Sequence, residues 1–511
     1  MHNQGIGTWM TRRSMRSFDD LAVSYGDTSM GYRDLAERIR RLADALAGRG
    51  VVAGDRIAYL GNNHPSYLET LFATATLGAI FVPLNTRLAA PEIEFALEDS
   101  GATTLVLHAA LRDLARAGSW STGVTRRIIV DADAYPAVEA YEEVLASGAD
   151  TQRDVPVQPD DPALILYTSG TTGHPKGAVL SHANITWNCF NAIVDYGIHA
   201  EERVLLISPL FHVAALSMGA LPVLLQGGQV ILHDRFEPGA VLHTVESERV
   251  TMLAGVPTTF QMLQEHPDWD TTDISSLEHL TCGGSTMPER MLEAYEARGL
   301  SFSCGYGMTE TAPGATAMPP RMSRAKMGSS GIKHFFTDVK VVDENGQEVP
   351  AGTVGEIWVS GPNVIREYWN RPDATASAFV DGWFRSGDLG SLDEDGYIRI
   401  SDRLKDMIIS GGENIYCAEV ESVIMEIPQI SSVGLIGIPD DRWGEVPLAV
   451  VALKPGQQLH AEDIVAHLTG RLAKYKIPKT VVFTDELPRT ASGKIRKADL
   501  RAHYAAGVTP S

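Results

Sequence analysis

The chain has 511 residues, too many for one ordinary domain, and its 44% hydrophobic and 21% charged residues are typical of a globular protein with a large core. A net charge of −21 argues against a nucleic-acid or anionic-membrane surface. No apolar run approaches the roughly 18 residues of a transmembrane helix, and residues 1–10 lack a signal-peptide pattern. We therefore expect a cytoplasmic protein without a transmembrane segment.

Cysteine usage agrees with that location. The 4 cysteines show no C-x-x-C or other metal-binding spacing. We expect them to be reduced and buried, as is usual in cytosolic proteins. They are Cys189, Cys282, Cys304 and Cys417.

The N-terminal third alternates predicted helices and strands. Apolar residues at helical spacing predict an amphipathic helix over residues 32–49. A second helix is expected over residues 67–77, and strands over residues 56–60, 79–83, 103–107 and 127–130. This alternation favours an α/β fold with mainly parallel sheets.

A loop of small, hydroxylated residues follows a strand predicted over residues 163–167 and precedes Pro175, Lys176 and Gly177. Glycines let backbone N–H groups turn toward an anion, hydroxyls add donors, and Lys176 adds a mobile positive charge. The pattern fits a polyphosphate cradle, although an ordinary turn has the same composition. It differs from the Walker A sequence, because Pro175 replaces the second glycine and Gly177 the Ser/Thr.

A second candidate stretch covers residues 302–310. A predicted strand ends in a Gly-Tyr-Gly sequence around Tyr306, and a loop then carries Thr309 and Glu310. Tyr306 can stack on a purine, Thr309 can reach phosphate oxygens, and Glu310 is a hard oxygen ligand suited to Mg²⁺. A Thr-Glu pair in a loop is otherwise a common helix start.

Further candidates lie at other turns. A strand predicted over residues 205–213 places His212 at a strand end, where a histidine is more often structural. Asp388 follows a predicted tight Ser-Gly turn, where a carboxylate could accept ribose hydroxyls or simply face solvent. The basic run over residues 487–497 would ordinarily be solvated surface.

In this order along the chain, these stretches resemble the motifs of the adenylate-forming superfamily, which contains acyl- and aryl-CoA synthetases, luciferases and peptide-synthetase adenylation domains. The resemblance is carried by residues 168–177, 306–310, 398–406, 407–414 and 492–494, and more loosely by residues 82–88. It implies a large N-terminal α/β domain of mainly parallel sheets flanked by helices, residues 1–402. A small α+β C-terminal domain, residues 403–511, would be joined to it by a hinge at Lys405.

The resemblance also implies ATP, Mg²⁺ and coenzyme A, with roles for individual residues. It assigns catalytic roles to Lys494, Thr309 and Glu310. Glu310 would also bind the metal ion. The glycine-rich turn that contains Gly284 and Ser285 would lie beside the adenine and the acyl group. The residues implied in ATP binding are Thr168, Ser169, Gly170, Thr171, Thr172, Lys176, Gly284, Ser285, Gly305, Tyr306, Gly307, Asp388 and Arg403.

For the acid, the family's pocket corresponds to mostly small or apolar positions, which fit a flat aryl or an alkyl acid and disfavour a dicarboxylic one. Residues 3–5, 186–188 and 309–314 look most like bacterial feruloyl- and hydroxycinnamoyl-CoA synthetases, and bacterial fatty-acyl-CoA synthetases are nearly as similar. By analogy, Arg87, Trp443 and Lys476 would contact coenzyme A. The acid-pocket positions are His212, Val213, Ala214, Met308, Pro313 and Gly314.

The function predicted is an ATP-dependent acid–CoA ligase that forms an acyl-adenylate and then a thioester, with an aromatic acid such as ferulate or 4-coumarate preferred. The alternatives are a medium- or long-chain fatty acid–CoA ligase, a luciferase-like oxygenase with the same motifs, and an inactive nucleotide-binding protein. The presence of Lys494, Glu310 and Asp388 weighs against the last, and no G-x-S-x-G sequence indicates a serine hydrolase. A homodimer is the default expectation.

Overall fold

The computed structural model of the chain describes residues 2–168, 175–283, 287, 289–404, 406–410, 413–440, 443–472, 474–490 and 493–504, with the backbone alone at residues 403, 413 and 414. Contacts divide the chain into two compact units. The first comprises Met1–Val339 and Val359–Phe384, and the second comprises Lys340–Trp358 and Arg385–Ser511. The domain boundary at residues 402 and 403 stays a prediction.

The strands are numbered in chain order. They are β1 Leu21–Tyr25, β2 Thr28–Gly31, β3 Arg56–Leu60, β4 Ile80–Pro83, β5 Thr104–His108, β6 Arg126–Val130, β7 Glu139–Ala140, β8 Pro162–Thr168, β9 Lys176–Ser181, β10 Arg203–Leu206, β11 Gln229–Leu232, β12 Met252–Gly255, β13 His279–Gly283, β14 Phe302–Gly307, β15 Gly314–Ala317, β16 Ile332–Lys333, β17 Asp338–Val342, β18 Gly355–Ser360, β19 Phe379–Val380, β20 Trp383–Leu392, β21 Ile398–Arg403, β22 Ile408–Ser410, β23 Glu413–Ile415, β24 Ile430–Asp440, β25 Gly444–Leu453 and β26 Thr480–Thr484.

The helices are numbered in the same way. They are α1 Trp9–Ser14, α2 Tyr32–Gly48, α3 Pro65–Thr76, α4 Ala90–Ser100, α5 Arg112–Ser119, α6 Tyr141–Ser147, α7 His182–Tyr196, α8 Leu221–Gln226, α9 Pro238–Ser247, α10 Pro257–Gln264, α11 Glu289–Glu296, α12 Pro372–Ala378, α13 Cys417–Ile424, α14 Ala461–Leu468 and α15 Lys497–Tyr504. None of the helices among the described residues is long and apolar enough to cross a membrane.

The first unit contains two large sheets. A 7-stranded sheet has the order β7-β6-β5-β3-β4-β8-β9, and its strands are parallel except for the antiparallel pair β8–β9. A 9-stranded sheet has the order β16-β15-β14-β13-β12-β10-β11-β1-β2, with antiparallel pairs at its two ends. Parallel neighbours require crossover connections, which the intervening helices supply. The predicted α/β class is confirmed.

Helix α2 follows the predicted pattern. Leu35, Ile39, Leu42 and Leu46 are buried, and the helix covers all but the last of the residues predicted for it. Helix α3 begins two residues before its predicted start. There the ring of His64 accepts a hydrogen bond from the backbone N–H of Ser66, and a proline occupies the first turn.

The strand predicted over residues 205–213 was wrong. Strand β10 ends at Leu206, and His212 lies in a turn where its backbone N–H donates to the carbonyl of Pro209 over 3.0 Å. Proline cannot donate to a strand ladder, so the strand stops before it. The chain then enters a helical segment that becomes a π-helix at Ala215–Ala220.

The second unit is built on smaller sheets, as predicted for the C-terminal part. One has the order β23-β22-β25-β24, with β26 parallel to β25 and the other pairs antiparallel. A further small sheet of the chain has the order β17-β18-β20-β19, with β21 paired to β20, and its strand β19 lies within the residues of the first unit. Helix α14 ends at Leu468, and Gly470 in the left-handed conformation (φ 80°) follows.

The cysteines are free, as expected. Cys189, Cys282 and Cys417 are buried, and Cys304 is partly buried. Burial raises the pKa of Cys304 to about 11, so its thiol is neutral at physiological pH. These side chains therefore act as small apolar core residues.

Candidate active site

A lysine, a tyrosine and a glutamate lie together beside the start of β9. Thr168 pairs with Lys176 across the β8–β9 hairpin. The Lys176 Nζ lies 5.5 Å from the centre of the Tyr368 ring. Tyr368 is fixed by a β-bridge to Ala178, and its hydroxyl donates to Glu310 Oε1 over 2.9 Å. Two residues assigned from the sequence, Lys176 and Glu310, are thus joined through a tyrosine that was not.

The electrostatics of this cluster fit a metal–nucleotide site. Burial, and then the charge of Glu310, raise the pKa of Tyr368, so its hydroxyl stays protonated and donates. The half-buried Glu310 carboxylate is thereby oriented while its other oxygen is a suitable ligand for Mg²⁺. The positively charged ammonium group of Lys176 lies over the same ring, where it would neutralise the negative charge of phosphate oxygens. The donor set therefore fits Mg²⁺ with a polyphosphate.

The loop that carries Glu310 is held by a buried amide. The Nδ2 of Asn363 donates to the carbonyls of Thr311 and Gly314, each over 2.7 Å. The hydroxyl of Thr311 donates to the carbonyl of Pro313 over 2.6 Å and accepts the backbone N–H of Met308 over 3.1 Å. A buried network with its donors and acceptors satisfied is rigid. The predicted acid-pocket residues Met308, Pro313 and Gly314 therefore lie in one fixed loop.

Helix α7 connects this loop to the other predicted wall of the acid pocket. The Oδ1 of Asn188 accepts the backbone N–H of Gly314 over 3.0 Å, and its Nδ2 donates to the carbonyl of Ser217 over 2.9 Å. Ser217 belongs to the π-helix Ala215–Ala220, which directly follows Val213 and Ala214. The two predicted wall segments are thus tied together through one buried side chain.

The segment before the π-helix contains the other acid-pocket candidates. His212 is half-buried and its ring lies 4.7 Å from that of Phe211. Val213 is buried, whereas Ala214 is exposed. π-Helical turns inside helices are frequent at functional sites, because the extra residue redirects side chains and backbone carbonyls.

Glycines at the end of β14 allow the backbone of the loop to approach the strand closely. A Cβ at Gly307 would fall 1.6 Å from the carbonyl oxygen of Pro313, so only glycine fits there. A Cβ at Gly305 would lie 3.0 Å from the carbonyl of Thr316. Gly305 also lines a small recess of about 30 Å³, whose walls combine apolar side chains with Lys326 and several serines. Between these glycines, Tyr306 is held by its backbone N–H, which donates to the hydroxyl of Thr316 over 3.2 Å.

In the second unit, Asp388 and Arg403 stand opposite each other in the β20–β21 pair. Asp388 is 7% exposed, and its backbone N–H donates to Ser386 Oγ over 3.0 Å. The predicted Ser-Gly turn before Asp388 was wrong, because β20 continues through it. Gly387 nevertheless has a φ of 68°, which bends the strand at that point.

Lys494 is exposed at the end of a short turn. The backbone N–H of Lys494 donates to Thr490 Oγ1 over 3.1 Å, and its carbonyl accepts the N–H of Thr490 over 2.7 Å. Gly493 in this turn has a φ of 85°. Helix α15 then begins at Lys497, whose Nζ lies 2.9 Å from Glu421 Oε1. The lysine turn is therefore anchored by a buried ion pair three residues after Lys494.

The residues predicted to contact coenzyme A lie on both units. Arg87 is exposed, and its backbone N–H donates to Asn85 Oδ1 over 2.9 Å. Trp443 is 41% exposed. Lys476 pairs with both carboxylate oxygens of Glu419, at 2.8 and 2.6 Å, so its charge is already partly neutralised.

Residues 10–369 match the AMP-binding enzyme family, and residues 419–494 match the AMP-binding enzyme C-terminal domain. The chain belongs to the AMP-binding enzyme family. The predicted family and enzyme class, an AMP-forming acyl- or aryl-CoA ligase, are confirmed.

Curated members of the family resemble the chain over almost its whole length. A feruloyl-CoA synthase of Amycolatopsis sp. is 49% identical over 99% of this chain and 100% of its own. An indoleacetate–CoA ligase of Aromatoleum aromaticum is 42% identical over 97% of each chain. A long-chain-fatty-acid–CoA ligase of Mycobacterium tuberculosis is 38% identical over 94% of each chain.

Solved structures of the family are also similar. The o-succinylbenzoate–CoA synthetase of Bacillus subtilis, in complex with ATP and a magnesium ion, has a TM-score of 0.87 and 33% identity, covering 97% of this chain and 99% of its own. An anthranilate–CoA ligase in complex with anthranoyl-AMP has a TM-score of 0.92 and 26% identity, covering 98% and 97%.

Several family positions predicted from the sequence fall outside the described residues. This holds for the side chain of Arg403, which is not described although its backbone is. The others are Ser169, Gly170, Thr171, Thr172, Gly284, Ser285 and Lys405.

Sequence reasoning missed the residues that support the AMP-binding site. Asn188 and Asn191 lie three residues apart on α7, on a helix that also has buried apolar residues. Two amides at this spacing could have indicated a buried hydrogen-bond network. Tyr368 and Asn363 gave no comparable signal, since they lie between elements. Their partners come from distant parts of the sequence.

Proposed function

We propose that the chain joins an aromatic carboxylic acid to coenzyme A, with ATP converted to AMP and pyrophosphate. The observation that carries this proposal is its 49% identity with a feruloyl-CoA synthase over 99% of the chain. The indoleacetate–CoA ligase, with another aromatic acid in its name, supports the same class of substrate at 42% identity.

In the first half-reaction, a carboxylate oxygen of the acid attacks the α-phosphorus of ATP. The bond from that phosphorus to the bridging oxygen breaks, and pyrophosphate leaves. Positioning and charge neutralisation supply most of the catalysis in such a transfer. Lys176 binds the departing phosphates. Glu310 would hold an Mg²⁺ ion, which would shield their charge, and Thr309 lies next to Glu310 in the same turn. Lys494 neutralises the negative charge between carboxylate and α-phosphate.

In the second half-reaction, the thiol of coenzyme A attacks the acyl carbonyl of the adenylate. The carbon–sulfur bond forms, the bond to the AMP oxygen breaks, and the thiol proton passes to solvent. As the family resemblance implies, we assign Lys405 as the hinge about which the small domain rotates between the two half-reactions. The same resemblance assigns the ribose contacts to Asp388 and Arg403.

The walls assigned to the acid are short. Gly314 and Ala214 carry little or no side chain, and Val213 and Met308 are apolar. These small and apolar residue types support an acid with an apolar body.

A long-chain acid is the second candidate, since the mycobacterial fatty-acid ligase is 38% identical. The same small and apolar residue types would also suit an alkyl chain. The two candidates differ in the products they would give, not in the nucleotide chemistry.

Thioester formation across a panel of acids tests the proposal. Ferulate, 4-coumarate, benzoate and alkyl acids of several lengths are each incubated with ATP, Mg²⁺ and coenzyme A, and the thioester and AMP are measured by mass spectrometry. We expect the highest kcat/KM with the hydroxycinnamic acids. A preference for long alkyl acids would transfer the assignment to the second candidate, and oxygen uptake with light would indicate the luciferase-like alternative.

The homodimer and the cytoplasmic location stay predictions. The chain mass is 55.3 kDa, so light scattering after size exclusion should give twice this value if two copies associate.

A further inference from the structure

Two histidines and a glutamate lie together at the edge of the 9-stranded sheet where β10, β12 and β13 begin. Glu202 directly precedes β10, and His279 is the first residue of β13. His199 lies in the connection between α7 and β10. The ligating atoms of the three residues all lie within 4.8 Å of one another.

This edge is opposite the one that carries the candidate active site. β10, β12 and β13 are parallel neighbours, with Val204 beside Met252 and Met252 beside His279. Gly305 and Gly307, which are assigned to ATP binding, lie at the other end of the neighbouring parallel strand β14. The cluster is therefore separate from the Mg²⁺ position at Glu310.

The central carboxylate is buried, and one of its oxygens lies close to both imidazole rings. The Glu202 side chain is fully buried, and its Oε1 lies 3.0 Å from His279 Nε2 and 3.2 Å from His199 Nε2. Glu202 Oε1 and His279 Nε2 are close enough for an ion pair when the ring is protonated. A buried carboxylate needs a positive partner, and a divalent cation held by two neutral rings would supply that charge in place of a proton.

The distances match those between neighbouring ligands on one ion. For metal–ligand bonds of about 2.0–2.1 Å, the two N···O separations correspond to ligand–metal–ligand angles of about 95–105°. Such angles suit a tetrahedral or slightly distorted site.

Neighbouring groups complete the surroundings of these ligands. The second oxygen of Glu202 accepts the hydroxyl of Thr251. The Nδ1 of His199 lies 3.2 Å from Glu201 Oε2, where a carboxylate would fix the ring for binding through Nε2. Glu278 Oε2 lies 3.6 Å from His199 Nε2 and adds a further negative charge beside these ligands.

We propose that His199, Glu202 and His279 form a binding site for a divalent transition-metal ion of the Zn²⁺ type. Two imidazoles and one carboxylate suit Zn²⁺ and its first-row neighbours, whereas Mg²⁺ and Ca²⁺ prefer oxygen ligands alone. The ion would connect the chain before β10 to the start of β13, across the intervening strand β12. It would thus stabilise the first unit without taking part in adenylation.

Zinc binding by the tag-free full chain tests the site. After treatment with a chelator, the protein is titrated with ZnCl₂ in the presence of excess Mg²⁺, and bound zinc is counted after dialysis. We expect one Zn²⁺ per chain and an increase in the thermal midpoint that grows with free zinc.

His199→Gln and His279→Gln should each weaken zinc binding at least about tenfold and remove most of the thermal shift. The His199 side chain is 41% exposed, so its replacement should leave the fold intact. His243→Gln, which removes an exposed histidine from α9, is the matched control and should bind as the native chain does. Failure to bind one Zn²⁺ per chain, or binding that survives both substitutions, would overturn the proposal.

Discussion

At the residue scale, the candidate site depends on side chains that position the groups recognised in the sequence. Glu310 is a metal-ligand candidate by residue type and motif, but only the fold reveals that Tyr368 donates to it and faces Lys176. Residues from distant parts of the sequence gave no periodic or motif signal, because their proximity arises from the β8–β9 hairpin and the bridge to Ala178.

Tyr368→Phe should raise the Mg²⁺ concentration needed for half-maximal pyrophosphate release and lower kcat/KM, each by about tenfold. The substitution removes the donor to Glu310 but keeps the ring beside Lys176. Tyr167→Phe is the control, since the Tyr167 hydroxyl donates to Asp99 instead. An unchanged Mg²⁺ titration for Tyr368→Phe would show that Tyr368 does not orient a metal ligand.

A buried histidine should make stability depend on pH. Burial lowers the pKa of His182 from 6.5 to about 4, and its Nδ1 accepts the backbone N–H of Ile6 over 3.3 Å. The folded pKa lies below the unfolded value, so the unfolded state binds the proton more tightly. The stabilisation is complete above pH 6.5 and is lost as the pH falls toward 4.

His182→Asn keeps an acceptor near the Nδ1 position but cannot be protonated. Between pH 7 and pH 5, the free energy of unfolding of the native chain should fall by about 2 kcal/mol more than that of the variant. Urea unfolding at the two pH values measures this difference. Equal slopes for the two proteins would mean that His182 is not neutral and buried in the fold.

At the scale of elements, period and composition predicted most helices and strands, and the exceptions have local causes. The amphipathic helix at residues 32–48 followed from spacing alone. The strand predicted through His212 stopped at Leu206, because Pro209 cannot continue a ladder. The π-helix that follows depends on tertiary packing and the Asn188–Ser217 hydrogen bond, which no local pattern encodes.

Helix α15 shows how one element can position a catalytic candidate. The Nζ of Lys497 lies 2.9 Å from Glu421, whose Oε1 also accepts the backbone N–H of Leu435 over 2.6 Å. Burial alone would lower the pKa of Lys497. The negative charges of Glu421 and its acidic neighbours raise that pKa by more than burial lowers it, so the lysine stays charged.

Lys497→Met should destabilise the second unit by about 3–5 kcal/mol, because it leaves Glu421 buried without its partner. Adding Glu421→Gln should restore part of the loss, since the amide still offers an acceptor to Leu435. Chemical unfolding of the native, single and double variants measures the coupling. If the single variant is as stable as the native chain, the pair does not anchor α15.

At the scale of the whole molecule, the sequence predicted the α/β class, the large and small parts and the enzyme class. Residues 168–177, 306–310 and 492–494 carried the family resemblance, because phosphate and adenylate chemistry restricts residue types at fixed spacing. The acid was harder to predict. Several positions assigned to its pocket, such as Ala214 and Gly314, are small residues. Their type indicates that space is left but not which chemical group fills it.

The central claim is that Lys494 drives adenylation in a reaction of two separable halves. Pyrophosphate release from ATP and ferulate is measured for the native chain and for Lys494→Ala, with Lys454→Ala as a control lysine of the same unit. We expect Lys494→Ala to lose about 100-fold or more of this activity, while it still forms feruloyl-CoA from supplied feruloyl-adenylate. Pyrophosphate release by Lys494→Ala at the native rate would contradict the account.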